Sequence, residues 1–301
     1  MAGIDINRTT TNVLLPQEIS AEIWAKTLEG SAIMQLAQQM PVPGTGIKFQ
    51  TITGEPTAQW VGETAAKPVS RHTFGNKTVT PYKMAVIEPF SMEFARDAQA
   101  LYDECVNRLP FALSRLFDAT VMGTTAPGTG FDVLGSCSAV SLTPASGKTV
   151  YDQFVAMDTA ISAADGIMTG IALAPQGKSV VLGAVDSVGH PLFTPGVSSN
   201  TVGNILGASV QVAKGVYVAG SGSGSGAVPA VVGLAGDFGE ARYGYVDGIK
   251  MAVTDQATLT EGTGDDAVTI NLWQQNMFAV RFECEVAFVV RDANKFLRIT
   301  E

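Results

Sequence analysis

At 301 residues the chain is long enough to bury roughly three-quarters of its unfolded surface, in one or two compact domains that need no disulfide or metal. Hydrophobic residues make up 46% and charged residues only 16%, too few to cover a monomer's surface well, so large buried interfaces between copies are expected. The net charge is −9 and no run of Lys and Arg occurs, which excludes the footprint of a nucleic-acid reader while allowing a surface that encloses DNA without gripping it.

Three cysteines, Cys105, Cys137 and Cys284, are far apart and odd in number. They form neither a disulfide framework nor a zinc motif, and they point to a reducing compartment. Residues 1–12 are polar, without the apolar core of a signal peptide, and no apolar stretch reaches the ~20 residues that span a bilayer. The expectation is a soluble protein made inside a cell, with no membrane partner.

In chain order, residues 1–15 are polar and threonine-rich and read as an extended arm. Pro16 suits a first helical turn, and Ile19, Ile23 and Leu28 follow near helical spacing until Gly30. Ile33, Leu36 and Ala37 predict a second short helix, closed by Pro41 and Pro43. The period then changes: Lys48 to Thr53 alternates polar and apolar, as does Gln59-Trp60-Val61, and Thr78 to Ile87 repeats the pattern. The polar, small segment from Gly62 to Ser70 lies between them, so a long hairpin is expected. Its apolar content is too thin for independent stability, and it must lie on something, in this chain or in another.

Ser91 is a good helix cap for an amphipathic helix whose stripe is Phe94, Leu101, Leu109, Leu113, Leu116, Phe117 and Val121, ending at Gly123. Pro110 should kink or split it. Tyr151 to Ala164 predicts a further helix with Phe154, Met157 and Ile161 on one face. Short buried strands are expected at Ile171 to Ala174, Ser179 to Leu182 and Val228 to Leu234, and the glycine-serine run at 220–227 reads as an exposed flexible loop. Thr269 to Phe278, Val280 to Val290 and Phe296 to Ile299 predict closing strands, so the fold class is α+β.

Fragments that imitate catalytic signatures fail on spacing. Gly177-Lys178-Ser179 resembles the end of a phosphate loop, but six residues rather than four separate it from the preceding glycine, Gly170, and a polar turn before a strand is the reading. Asp237-Phe238-Gly239 spells a kinase triplet with neither a catalytic loop nor an early Gly-rich loop to accompany it. Gly222 to Gly226 matches a nucleophile elbow in letters but sits in a floppy loop. His72, His190 and Asp265-Asp266 lack the companions a metal site needs. No catalytic, cofactor-binding or metal-binding residue is expected, and the chain reads as structural rather than enzymatic.

The order of elements resembles the fold shared by tailed-phage major capsid proteins, encapsulins and the herpesvirus capsid floor. Ile47 to Gln50, Ala58 to Glu63 and Lys67 to Ser70 resemble that family's extended loop, while Tyr82 to Ala85 with Phe90 to Glu93 resemble the approach to its spine helix. His190 to Phe193 and Leu206-Gly207 resemble parts of its axial domain. Gly236 to Phe238, Asn271 to Asn276 and Val280 to Glu283 resemble its C-terminal region.

The resemblance implies an N-terminal arm and short helices over 1–45, an extended-loop hairpin over 46–86 and a peripheral domain with the spine helix over 87–149. It further implies an axial domain over 150–270 and C-terminal strands over 271–301 returning to the peripheral domain. It implies self-assembly through pentamers and hexamers into an icosahedral virion shell around double-stranded DNA, without sequence-specific binding. Assembly would occur in the host bacterial cytoplasm, with scaffolding, portal and possible decoration proteins as partners. The alternative is an encapsulin shell holding a cargo enzyme, which the open polar arm fits less well. Some family members cross-link a loop lysine to a neighbour's asparagine with the help of a buried glutamate. Lys67 and Lys77 lie in the corresponding loop, but no motif supplies the other two residues, and solvated lysines are the expectation.

Overall fold

The computed structural model describes residues 27, 30–54, 56–92, 98–186, 188–193, 203–222, 227–262 and 267–301. The polar arm, the helix expected from Pro16, the middle of the glycine-serine run and Asp265-Asp266 lie outside those residues, as do the side chains of Phe94, Leu101, Cys105 and Leu109.

Ser31 caps α1 (Ala32–Leu36), its hydroxyl accepting from the Met34 N–H at 3.1 Å. The turn ends where Ala37 becomes extended, ahead of β1 (Gln38–Gln39) and the two prolines. The alternating segment β2 (Ile47–Gly54) then pairs antiparallel with β3 (Thr73–Val79), so the expected hairpin is present. Its return arm differs from the expected strand over 78–87. The ladder stops at Val79, because Pro81 has no N–H and the Thr80 N–H donates instead to the Gly130 carbonyl at 3.0 Å. Beyond that break β4 (Tyr82–Ser91) belongs to another sheet. The Gln59-Trp60-Val61 alternation forms no strand; it lies in the tip.

The spine element α2 (Ala98–Met122) runs unbroken through Pro110, contrary to the expected split. An interior proline costs about 3 kcal/mol or more. Tertiary burial offsets that cost: Leu113, Phe117 and Val121 all enter the core. Leu116, expected in the same stripe, is 47% exposed. The last carbonyls of α2 are satisfied by the following chain, with Leu134 N–H donating to Val121 at 2.7 Å and Gly135 N–H to Gly123 at 3.1 Å. Any Cβ at Gly135 would overlap the Gly123 carbonyl, so the close approach requires glycine there.

After β5 (Ala139–Ser141) comes α3 (Val150–Ala163), started by a capping box between Thr149 and Asp152 and burying Phe154, Met157 and Ile161 as expected. The strand β6 (Gly170–Leu173) is fully buried. The next expected strand, Ser179 to Leu182, is instead part of helix α4 (Pro175–Leu182). Pro175 sits at the start of that helix with its φ already set, and the three apolar residues Val180, Val181 and Leu182 carry too little period to separate strand from helix. The remaining strands are β7 (Asn204–Ile205), β8 (Ala208–Val212), β9 (Val231–Gly236), β10 (Ala241–Tyr245), β11 (Lys250–Thr254), β12 (Thr258–Glu261), β13 (Val268–Asn271), β14 (Met277–Val290) and β15 (Phe296–Thr300). The strand expected from Thr269 to Phe278 is interrupted by a turn over 272–276, with Asn276 at φ 52°.

Two larger sheets organise these elements. One has the order β1-β10-β14-β11, with β4 on the other side of β14. The second has six strands in the order β5-β15-β9-β6-β8-β7, so residues 296–300 fill a slot between 139–141 and 231–236. A core centred on Phe117, Phe131, Phe282 and Phe288 lies between α2 and the first sheet, and another around Phe154, Met157 and Ile171 lies between α3 and the second. Helices and mixed sheets on this plan are the expected α+β fold.

Candidate functional site: the assembly surfaces

No constellation of reactive groups is assembled among the described residues. None of their His, Cys, Asp and Glu side chains forms a group of three or more that could hold a metal ion. Among them, no helix is long and apolar enough to cross a membrane. Gly177-Lys178-Ser179 lies inside α4, where a Cβ on Gly177 would stand 2.7 Å from the Val232 carbonyl. The glycine thus permits the close approach of helix to strand. Asp237 caps a short 3-10 turn, accepting from the Gly239 N–H at 3.0 Å.

His190 closes a small loop on Asp186, whose carboxylate accepts from the His190 and Val188 N–H groups at 2.8 Å each. These bonds hold the Asp186 carboxyl below its ordinary range. His72 stands exposed on the hairpin, its ring 6.2 Å from that of Phe74. Cys137 and Cys284 are buried, and burial raises both thiols, Cys284 to about 12, so neither is poised as a nucleophile.

One buried ionisable group escaped the sequence reading. Asp118 is 0% exposed; its carboxylate accepts from Ser31 Oγ at 2.6 Å and from the Ala32 N–H at 3.1 Å. Burial raises its pKa to about 7 against the lowering effect of those bonds. A signal was present: Ser114 and Asp118 are one turn apart and lie beside Phe117 and Val121 on the inner face of α2, where a polar residue is unusual. The contact joins the spine helix to the start of α1, and places no group at the surface.

What the fold does present outward is apolar area on projecting elements. Every residue from 56 to 74 is exposed, Trp60 completely so at 105%, with Val69 and Phe74 beside it in the same hairpin. Within that tip Thr57 N–H donates to Ser70 Oγ at 2.9 Å and Ala65 N–H to the Gly62 carbonyl at 3.2 Å. Large, strongly exposed apolar side chains on a projecting hairpin are the mark of a surface completed by another molecule. Phe111 and Leu116 on the outer face of α2 and Trp273 in the turn before β14 add further exposed area.

The root of the hairpin, by contrast, is fixed. Lys77 Nζ lies 2.6 Å from the Asp132 carboxylate and also donates to the Val290 carbonyl, while Asp132 accepts from the Val290 N–H at 2.7 Å. Lys67 remains exposed in the tip. Neither lysine is brought against an asparagine and glutamate pair by any described contact. Charge pairs elsewhere, such as Lys83 with Glu283 and Glu285, join an exposed lysine on β4 to partly exposed glutamates on β14 at 3.8 and 3.5 Å and are weak sources of stability.

A two-sheet body that projects an uncovered hairpin fits a structural protein completed by contacts with other molecules. The phage capsid family model matches residues 11–300, and the chain belongs to that family. The probable major capsid protein gp17 of Mycobacterium phage D29 is 31% identical over 299 residues, covering 95% of this chain and 89% of that protein. Its counterpart in Mycobacterium phage L5 is also 31% identical, over 301 residues, with the same two coverages. A solved structure from Gordonia phage Cozz shares the fold, with a TM-score of 0.66 and 24% identity over 95% of this chain and 91% of that one. The expected class and fold are thus those of a phage major capsid protein, and the encapsulin alternative is not favoured.

Proposed function

We propose that copies of this chain close into pentamers and hexamers that tile an icosahedral shell around double-stranded DNA. The six-stranded sheet with α3 and α4 would form the axial domain, and the β4–β14 sheet with α2 the peripheral domain; this departs from the bounds expected from the sequence, since β5 and β15 go with the axial sheet and β10 and β11 with the peripheral one. Head-to-tail contacts between identical subunits are heterologous and close into rings. Residues 46–79 would reach from each subunit onto a neighbour. The net charge of −9 supports enclosing DNA without gripping it. Assembly would take place in the host cytoplasm, with scaffolding, portal and decoration proteins joining the shell.

The observation that carries the reading is the hairpin tip, whose exposed Trp60 and Val69 have no covering surface among the described residues. Replacing residues 56–72 by a two-residue turn should leave the subunit folded and stop shell formation. Circular dichroism and negative-stain microscopy read the two outcomes, and regular shells from the shortened chain would overturn the proposal.

A further inference from the structure

The hairpin is a lever, and its fulcrum is built from charge. Lys77 lies on β3 near the root, facing the loop after the spine helix and the end of β14. Its ammonium is held by Asp132 at 2.6 Å and by the Val290 carbonyl, and Asp132 is itself fixed by accepting from the Val290 N–H and donating its own N–H to the Phe288 carbonyl at 3.0 Å. The same loop grips the chain beyond the hairpin. The Tyr82 hydroxyl donates to the Thr129 carbonyl at 2.8 Å and Thr80 N–H donates to Gly130. Gly130, at φ +88°, comes so close that a Cβ there would stand 2.7 Å from Thr80 Oγ1.

The two side chains of the ion pair are about one-third exposed, at 32% and 29%. Solvent screening makes such a pair a weak source of stability. Its geometry is more telling than its strength, since it joins three elements at the point where the hairpin leaves the body. A seven-residue ladder rises about 23 Å, so a swing of about 10° at the root carries the tip end about 4 Å, more than a packed interface tolerates.

We propose that Lys77 is a positioning residue: its junction with Asp132 and Val290 sets the direction of the hairpin and hence the angle between neighbouring subunits in the shell. This rests on the reading that the hairpin contacts a neighbour. Loss of the charge should leave the subunit folded while assembly loses its single geometry.

The test compares shells of the parent chain with those of Lys77→Met, which keeps the apolar stem, and of Asp132→Asn, whose amide oxygen still accepts from Val290. Cryo-electron microscopy of the particles gives diameters, and thermal melting of unassembled subunits reports the fold. Loss of the single parent diameter in both variants, with melting near the parent's and recovery in Lys77→Arg, is the expected result. Parent-sized uniform shells from both variants would overturn the proposal. So would failure of both to fold, which would make the pair a structural requirement only. The chain with the replaced tip separates the two claims. If it forms no shells while Lys77→Met forms normal ones, the hairpin contact stands and the positioning role falls.

Discussion

Unassembled subunits should lose stability as the pH rises from near 4 to about 7, and Asp118→Asn should remove most of that slope. The carboxyl is raised from 3.8 to about 7 chiefly because burial penalises its charged form. Below 3.8 the group is protonated in both folded and unfolded chains and adds no pH dependence. Between 3.8 and about 7 the folded state holds a proton that the unfolded state has released, so raising the pH favours unfolding. Above about 7 both states are ionised and the loss is complete. A shift from 3.8 to about 7 corresponds to a loss on the order of 4 kcal/mol. Urea titrations across that range, on the parent and on Asp118→Asn, measure it. An unchanged slope in the variant would show that some other group sets the dependence.

Phe288→Ala should cost about 3–5 kcal/mol, the largest effect expected of a single truncation in the core. The ring is completely buried and meets Phe117 edge-on at 5.9 Å and Phe131 at 6.2 Å, so it fastens β14 both to the spine helix and to the loop that carries Asp132. Removing it leaves a cavity that neighbours on two different elements cannot easily collapse into. Phe74→Ala, at an exposed position on the hairpin, should change subunit stability by less than about 0.5 kcal/mol and serves as the contrast. Equal urea midpoints for Phe288→Ala and the parent would mean that this ring does not fasten β14 to the spine helix.

Much of this architecture was legible in the chain. The alternation at Lys48 to Thr53 identified the outgoing arm of the hairpin, and the thin apolar content of its tip pointed to a partner outside the body. The return arm is hidden in the sequence because Gly75, Asn76 and Lys77 carry little strand propensity, while the stronger β pattern lies after Pro81, in β4. Ser179 to Leu182 fits a strand for a related reason, since its three consecutive apolar residues suit either period. Pro110 misled in the opposite sense: the local rule is sound, but burial of Leu113, Phe117 and Val121 outweighs it. The meeting of Lys77, Asp132 and Val290 joins positions remote in sequence, and no local pattern announces it.

The place of β15 has a consequence for synthesis on the ribosome. Arg298 pairs with Leu234 on one side and with Ala139 on the other, so the flank of the six-stranded sheet between β9 and the edge strand β5 stays open until residues 296–300 leave the exit tunnel. Closing a contact over so many residues is entropically slow and cannot be anticipated by earlier, local folding. Ribosome-stalled chains ending before Phe296 should therefore be cut by protease within residues 139–236, while chains that have emerged beyond Thr300 resist. Each nascent copy would then lack a finished surface to offer its neighbours on the same messenger until residues 296–300 have emerged and paired.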